Sequence, residues 1–125
     1  MLIESWKIDK IKPYNNHPRV NELAVAAVAK SIRMFGFRQP IVVDTDGVVL
    51  AGHTRLKAAS ILGMEYVDVD VAIGIEREKL RAFRLVDNAI HELSRWNKDL
   101  LARELEAVRT AGVDVSQMGF DRDTP

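Results

Sequence analysis

Hydrophobic and polar positions change their spacing along this chain, and each change marks an element. From Glu4 to Ile11 they alternate weakly, and Lys12-Pro13 closes the run because proline has no amide to donate; this predicts a first strand. Tyr14-Asn15-Asn16-His17-Pro18-Arg19 is rich in turn formers and leads to Asn21, a predicted N-cap. Between Leu23 and Phe35, Ala24, Ala27, Val28, Ile32 and Phe35 recur at helical spacing, with Lys30 and Arg33 on the polar face and Gly36 where a left-handed residue would end the helix.

Ile41 to Asp44 and Val48 to Ala51 are β-rich, and Thr45-Asp46-Gly47 between them carries the Asp-Gly pair of tight hairpins. The second of these strands runs through Gly52-His53-Thr54-Arg55 into a short predicted helix, Leu56 to Leu62, stopped by Gly63. Tyr66 to Ile73 alternates without a break, Val67, Val69, Val71 and Ile73 on one face and Asp68 and Asp70 on the other, as in a strand with one wet face. After Gly74, Leu80, Phe83, Val86, Ile90 and Leu93 mark an amphipathic helix, and a last one is predicted from Lys98 to Thr110. The order β-α-ββ-α-β-α-α is that of an α+β fold, a small mixed sheet with interspersed helices and a helical C-terminal extension.

At 125 residues the chain is read as one domain, with residues 1–95 as its body, 96–112 as a helical extension and 113–125 as a tail or linker. A composition of 47% hydrophobic and 29% charged residues fits a folded globular domain and argues against disorder. With no cysteine, disulfide frameworks, thiolate zinc sites and cysteine nucleophiles are excluded. No apolar run approaches the roughly 18 residues that span a bilayer, and the N-terminus lacks the layout of a signal peptide, so the expectation is a cytoplasmic protein with no membrane partner. Net charge is zero, yet residues 1–65 carry 9 basic against 6 acidic residues and the remainder 9 against 12, which directs the search for an anion site to the first half.

That half holds Ala51-Gly52-His53-Thr54-Arg55. Glycine lets the backbone approach a ligand, a helix start leaves amides unpaired and favours anions, and Arg55 and Thr54 add a charge-assisted fork and a hydroxyl. Lys57 adds a positive charge at the helix end where the dipole disfavours it, which suggests a ligand. From physics alone an equal alternative stands: Gly52 only makes a tight turn, Thr54 is the N-cap and Arg55 is solvated.

The run QPIVVDTDGVVLAGHTRLKAA resembles the central part of the ParB-like domain, also called the ParB nuclease domain, whose superfamily includes sulfiredoxin and a free-serine kinase. NNHPR at Asn15 to Arg19 is similar to that family's N-terminal box, and LVDN at Leu85 to Asn88 to its LVEN box; the likeness spans roughly residues 6–95. The stretch WNKDLLARELEAV followed by VDVSQMGFD resembles the segment after ParB-like domains fused to phage and prophage DNA methyltransferases.

The resemblance implies a phosphate or nucleotide site. Gly52, His53, Thr54 and Arg55 would cradle phosphate, with His53 as a hydrogen-bond donor. Asp87 and Asn88 would stand at Mg²⁺, Asp87 also being the candidate catalytic carboxylate. Gln39 is a candidate for base or ribose and Arg19 for a phosphate. The implied ligand is CTP or ATP with Mg²⁺. Asp87 has a plainer alternative, pairing with Arg84 or His91 on its own helix, and Gln39 another, capping a turn.

This chain has Gly52-His53-Thr54-Arg55 where partitioning members read GERR, and His91 where their third box ends in arginine, so the base stays open. No helix-turn-helix is expected within these residues, and without cysteine sulfinic reductase chemistry is excluded. Three functions are carried forward: a nucleotide-binding accessory or regulatory module of DNA partitioning, modification or transcription, acting on DNA directly or through a partner such as a DNA methyltransferase; a nuclease, nucleoside triphosphatase or phosphotransferase; and an interaction or homodimerisation domain using the helices from Glu76 to Thr110.

Overall fold

A computed structural model of the chain describes residues 1–15 and 22–120. Among these residues the elements run β1 (Ile3–Lys7), α1 (Glu22–Phe35), β2 (Ile41–Val43), β3 (Val49–Ala51), α2 (His53–Ile61), β4 (Tyr66–Val71), α3 (Leu80–Leu93) and α4 (Lys98–Thr110), with 3-10 turns at Ile8–Lys10 and Arg77–Lys79. This is the α+β order expected from the pattern. The predicted N-cap Asn21 lies outside the described residues.

The four strands form one mixed sheet in the order β1-β4-β2-β3. β4 is antiparallel to β1 and parallel to β2, and β2 and β3 make the antiparallel hairpin. The Asp-Gly signal sets that hairpin: Gly47 takes the left-handed φ of 85° and its amide donates to Asp44 O at 3.0 Å. Asp44 closes the turn with its side chain as well, Oδ1 accepting from the amides of Asp46 and Val48, each at 2.9 Å.

The first strand is shorter than its alternation suggests. β1 leaves β4 after Lys7, a 3-10 turn intervenes, and the chain crosses to the hairpin, where Lys12 N donates to Gly47 O and Val49 N to Lys12 O. Ile11 is thereby buried beside β3 instead of extending β1.

One face of the sheet carries the core. Ile41, Val43, Val49, Val67, Val69 and Val71 point toward Leu56 and Ala59 of α2, and the period-2 pattern of β4 sends Asp68 to solvent on the other face. Fully burying residues of this size contributes about 1.5–3 kcal/mol each, so these positions dominate stability. A second cluster joins Ala58 of α2 to Val25 and Ala29 of α1. The adjacent alanines at 58 and 59 let α2 sit close to both layers at once.

Leu80, Phe83, Val86, Ile90 and Leu93 mark α3 as an amphipathic helix and the helix is found, but Val86, Ile90 and Leu93 are 54%, 57% and 78% exposed. Arg84 is the one residue of α3 that is buried. Amphipathic spacing identifies a helix face that profits from cover, and among the described residues nothing covers this one beyond its N-terminal half. α4 is capped by Asn97, whose side chain accepts from Leu100 N, and buries Leu101. The segment after it folds back, Lys30 of α1 donating to Ser116 O and the Phe120 ring lying tilted against Trp96 at 5.8 Å between ring centroids. No helix among the described residues is long and apolar enough to cross a membrane.

Candidate functional site

The junction between β3 and α2 is a single residue. α2 begins at His53, three residues before its predicted start, with Gly52 as N-cap at φ 105° and no side-chain cap. Thr54 therefore lies inside the helix, and the alternative in which it caps a solvated turn is not the arrangement found. The first intrahelical bond is Leu56 N donating to Gly52 O at 2.9 Å, so the amides of Gly52 through Arg55 precede it and form the positive end of α2.

Gly52 is required for two reasons. Its φ is one that L residues rarely adopt, and a Cβ built on it would stand 2.9 Å from Nη2 of Arg55 and 3.3 Å from Cζ, because that side chain folds back across the glycine. Arg55 is then clamped: Nη1 donates to Gln39 Oε1 and Nη2 to Pro40 O, each at 3.0 Å. Its Nε is buried without a partner. Burial pulls the Arg55 pKa below its ordinary value, and the charge of Asp87 opposes that shift.

Gly52, His53, Thr54, Arg55, Asp87, Asn88 and His91 line one cavity of about 240 Å³, with Val28, Leu50 and Ala51 as the rest of its wall. Six of the residues singled out in the sequence thus meet across a space bounded by the start of α2 and the second half of α3. Gln39 is not in that wall; its amide oxygen is spent on Arg55, which makes it a support for the guanidinium. Arg19 lies outside the described residues. Lys57 faces a different, apolar groove beside Ile8, Ile11 and Ile61.

His53 Nε2 accepts the amide proton of Tyr14 at 3.0 Å, so the neutral imidazole carries its proton on Nδ1. Arg84, one of the two intrahelical partners considered for Asp87, turns to Val49 O and Asp44 instead, and the charge of Asp87 acts on Arg55 across the cavity. Among the described residues no cluster of three or more His, Asp or Glu is placed to hold a metal. Asp87 and Asn88 offer two oxygen ligands, a set that suits Mg²⁺ only when phosphates and waters supply the others.

Sequence reasoning passed over Tyr14, Asp44 and Arg84. Tyr14 reaches the site through its amide and covers Arg84 with its ring, 3.9 Å from the centroid. The available signal was a charge four residues after Leu80, on the side of α3 that faces the sheet. A larger cavity of about 880 Å³ opens beyond Arg84, between the hairpin turn and the start of α3, but it is lined by both arginines and carboxylates and includes none of Gly52, His53, Thr54, Arg55, Asp87 and Asn88.

The strand-to-helix glycine loop and the facing Asp87-Asn88 pair are carried by a four-stranded mixed sheet, and that fold is shared with known proteins. The ParB N-terminal domain family matches residues 2–89, and the chain belongs to that family. It is 34% identical over 73 residues to the ParB-like nuclease domain-containing protein YnaK of Escherichia coli strain K12, covering 58% of this chain and 84% of YnaK. Against the chromosome-partitioning ParB proteins that it matches, it spans about a third of their length, 32% in one case. The fold superposes on the C-terminally truncated partitioning protein ParB from Caulobacter crescentus complexed with CTP-γ-S, with a TM-score of 0.67 at 21% identity over 94% of this chain and 75% of that one. It also superposes on sulfiredoxin from Arabidopsis thaliana, with a TM-score of 0.54 at 25% identity over 66% and 97% of the two chains.

Proposed function

We propose that this domain binds the phosphates of a nucleoside triphosphate with Mg²⁺ and acts as an accessory or regulatory module in a DNA-processing system. The observation that carries this reading is the buried, unpartnered Nε of Arg55 in the wall of a cavity formed at a helix N-terminus. A buried donor without an acceptor costs about 1–3 kcal/mol, and a phosphate oxygen would remove that cost once the Arg55 side chain turns its Nε from Gly52 toward the cavity. Asp87 and Asn88 stand opposite, where a phosphate-bound Mg²⁺ would find its two protein oxygens.

The size of the cavity limits what it encloses. About 240 Å³ is below the roughly 300–1,000 Å³ of pockets that surround a whole ligand, so the phosphates enter and the base stays outside these walls. CTP is the first base to test, because a ParB of this fold is complexed with CTP-γ-S; ATP is the second. DNA is approached through a partner, such as a methyltransferase or another DNA-binding protein. A ParB relative is itself complexed to a parS site.

The test is thermal unfolding with CTP, ATP, GTP and UTP, with and without Mg²⁺. A ligand at a hundredfold its Kd adds about 2.7 kcal/mol, which raises Tm by on the order of 10 °C in a domain of this size. The expected result is a Mg²⁺-dependent rise with at least one triphosphate that Arg55→Ala abolishes. No rise with any of them, or a rise that survives Arg55→Ala, overturns the reading.

A second reading has its own observation. Val86, Ile90, Leu93, Trp96 and Leu100 are all more than half exposed along α3 and the start of α4, which favours association through these helices with a second copy of the chain. A mass that rises with concentration and falls back in Ile90→Glu would support it. The two readings are compatible, since the cavity and this face use different residues.

A further inference from the structure

Arg84 occupies a position that packing alone would give to leucine or methionine. It lies four residues after Leu80, on the side of α3 that meets the sheet, and is only 9% exposed. Burying a guanidinium there costs several kcal/mol unless its donors are met and its charge is balanced, and such groups are kept where they fix one arrangement among several. Nε donates to Val49 O of β3 at 2.9 Å, Nη2 stands 3.9 Å from Asp44 Oδ2, and the Tyr14 ring lies 3.9 Å from the guanidinium carbon. These partners come from β3, the hairpin turn and the segment after β1, and each constrains a different direction.

α3 has little else to hold it. With Val86, Ile90 and Leu93 more than half exposed, apolar burial does not determine the rotation of its second half. Asp87 and Asn88 follow Arg84 by three and four residues, hence on the same side of the helix about one turn of 5.4 Å further on. Val49, which accepts from Arg84, lies on β3, the strand that ends at Ala51 just before Gly52. Tyr14, whose ring covers Arg84, is also the residue whose amide holds His53.

We propose that Arg84 is a positioning residue for the phosphate site: its contacts with Val49, Asp44 and Tyr14 set the height and rotation of α3, and so where Asp87 and Asn88 stand opposite the Gly52 loop. The proposal rests on the nucleotide reading above for its ligand, but its central statement concerns the docking of α3.

The experiment therefore has two readouts on the same variants. In the ligand-free protein, Arg84→Met keeps the aliphatic stem and removes the fork; amide exchange within residues 80–93 is expected to quicken about tenfold while β4 and α2 keep their protection. With CTP and Mg²⁺ as the probe, Arg84→Met and Asp87→Asn are each expected to weaken binding about tenfold, and the double variant to be no weaker than Arg84→Met by more than about twofold, because the carboxylate has already lost its place. A residue that merely stabilises the fold would give multiplicative losses instead. Multiplicative losses, or unchanged exchange in α3, overturn the proposal. So does full recovery in Arg84→Lys, which keeps the charge without the planar fork. If the wild-type protein does not bind CTP, the nucleotide reading fails for that ligand while the exchange experiment still decides the role of Arg84.

Discussion

α2 and α3 face each other across one cavity and are held there by opposite means. α2 is wedged between the sheet and α1, with Leu56, Ala58 and Ala59 buried. α3 docks through one buried arginine and leaves much of its apolar face in water. Regions with many buried apolar contacts open only on global unfolding, whereas those with few open locally. The glycine loop is thus carried by the rigid part of the domain, and the Asp87-Asn88 wall by a part whose placement depends on a few directional contacts.

The largest effect that separates the two helices is a pair of truncations. Leu56→Ala removes a buried side chain and is expected to cost about 2–5 kcal/mol, seen as a lower urea midpoint for the whole domain. Ile90→Ala, at a position 57% exposed, is expected to change stability by no more than about 0.5 kcal/mol. Similar losses at both positions would mean that α3 is packed by something beyond the contacts described here, and the contrast would fall.

Gly52→Ala probes the rigid side where it meets the ligand. Holding alanine in the left-handed region costs about 1–2 kcal/mol, and the new Cβ displaces the Arg55 guanidinium that now lies 2.9 Å away. The variant should fold with a modestly lower Tm yet show no nucleotide-induced rise. A normal nucleotide response would detach the seat of Arg55 from ligand binding.

What could be read from the sequence follows the same division. The rigid part announced itself locally: Asp46-Gly47 for the hairpin, Gly36 as a left-handed helix end, and the valines of β4 for the core face. Each needs only neighbouring residues for its physics. The start of α2 at His53 was less legible, because Thr54 is an equally good N-cap in isolation and only the strand leading straight into Gly52 decides between them. The grouping of Gly52, His53, Thr54 and Arg55 with Asp87 and Asn88 came from resemblance, since spacing along a chain does not say which turns of distant helices will face one another. Arg84 stayed hidden for that reason as well: a charge at a core-facing position is an anomaly until its partners at Val49, Asp44 and Tyr14 are brought to it by the fold.

Gln39→Ala gives a smaller effect and tests how Arg55 is held. It removes the acceptor of Nη1 and leaves Pro40 O for Nη2. Loss of one partly exposed hydrogen bond costs about 0.5–1.5 kcal/mol. If Gln39 supports Arg55 without touching the base, the affinities for CTP and ATP should fall by the same factor. A loss confined to one base would restore Gln39 to the ligand.

The smallest expected effect asks whether acid loosens the C-terminal helix before the rigid part. On α4, the hydrogen bond and charge of Arg109 hold the Glu106 carboxyl below its ordinary range. In the segment after it, hydrogen bonds from Ser116 do the same for Asp114, with a smaller contribution from the charge of Lys30. A carboxylate whose pKa is depressed on folding adds stability above its unfolded value, about 3.9 for Asp and 4.3 for Glu, and loses that contribution as pH falls through the folded value. Both groups are fully exposed, so water and salt keep the contribution small. Once intrinsic rates are allowed for, amide exchange across residues 98–116 should therefore rise below about pH 4 while α2 stays protected. In Arg109→Ala the Glu106 carboxyl should titrate closer to its ordinary value, which a carboxyl-detected NMR titration reads directly. If α2 and α4 lose protection together as the pH falls, the two regions unfold as one unit and α3 is docked more firmly than its exposed face implies.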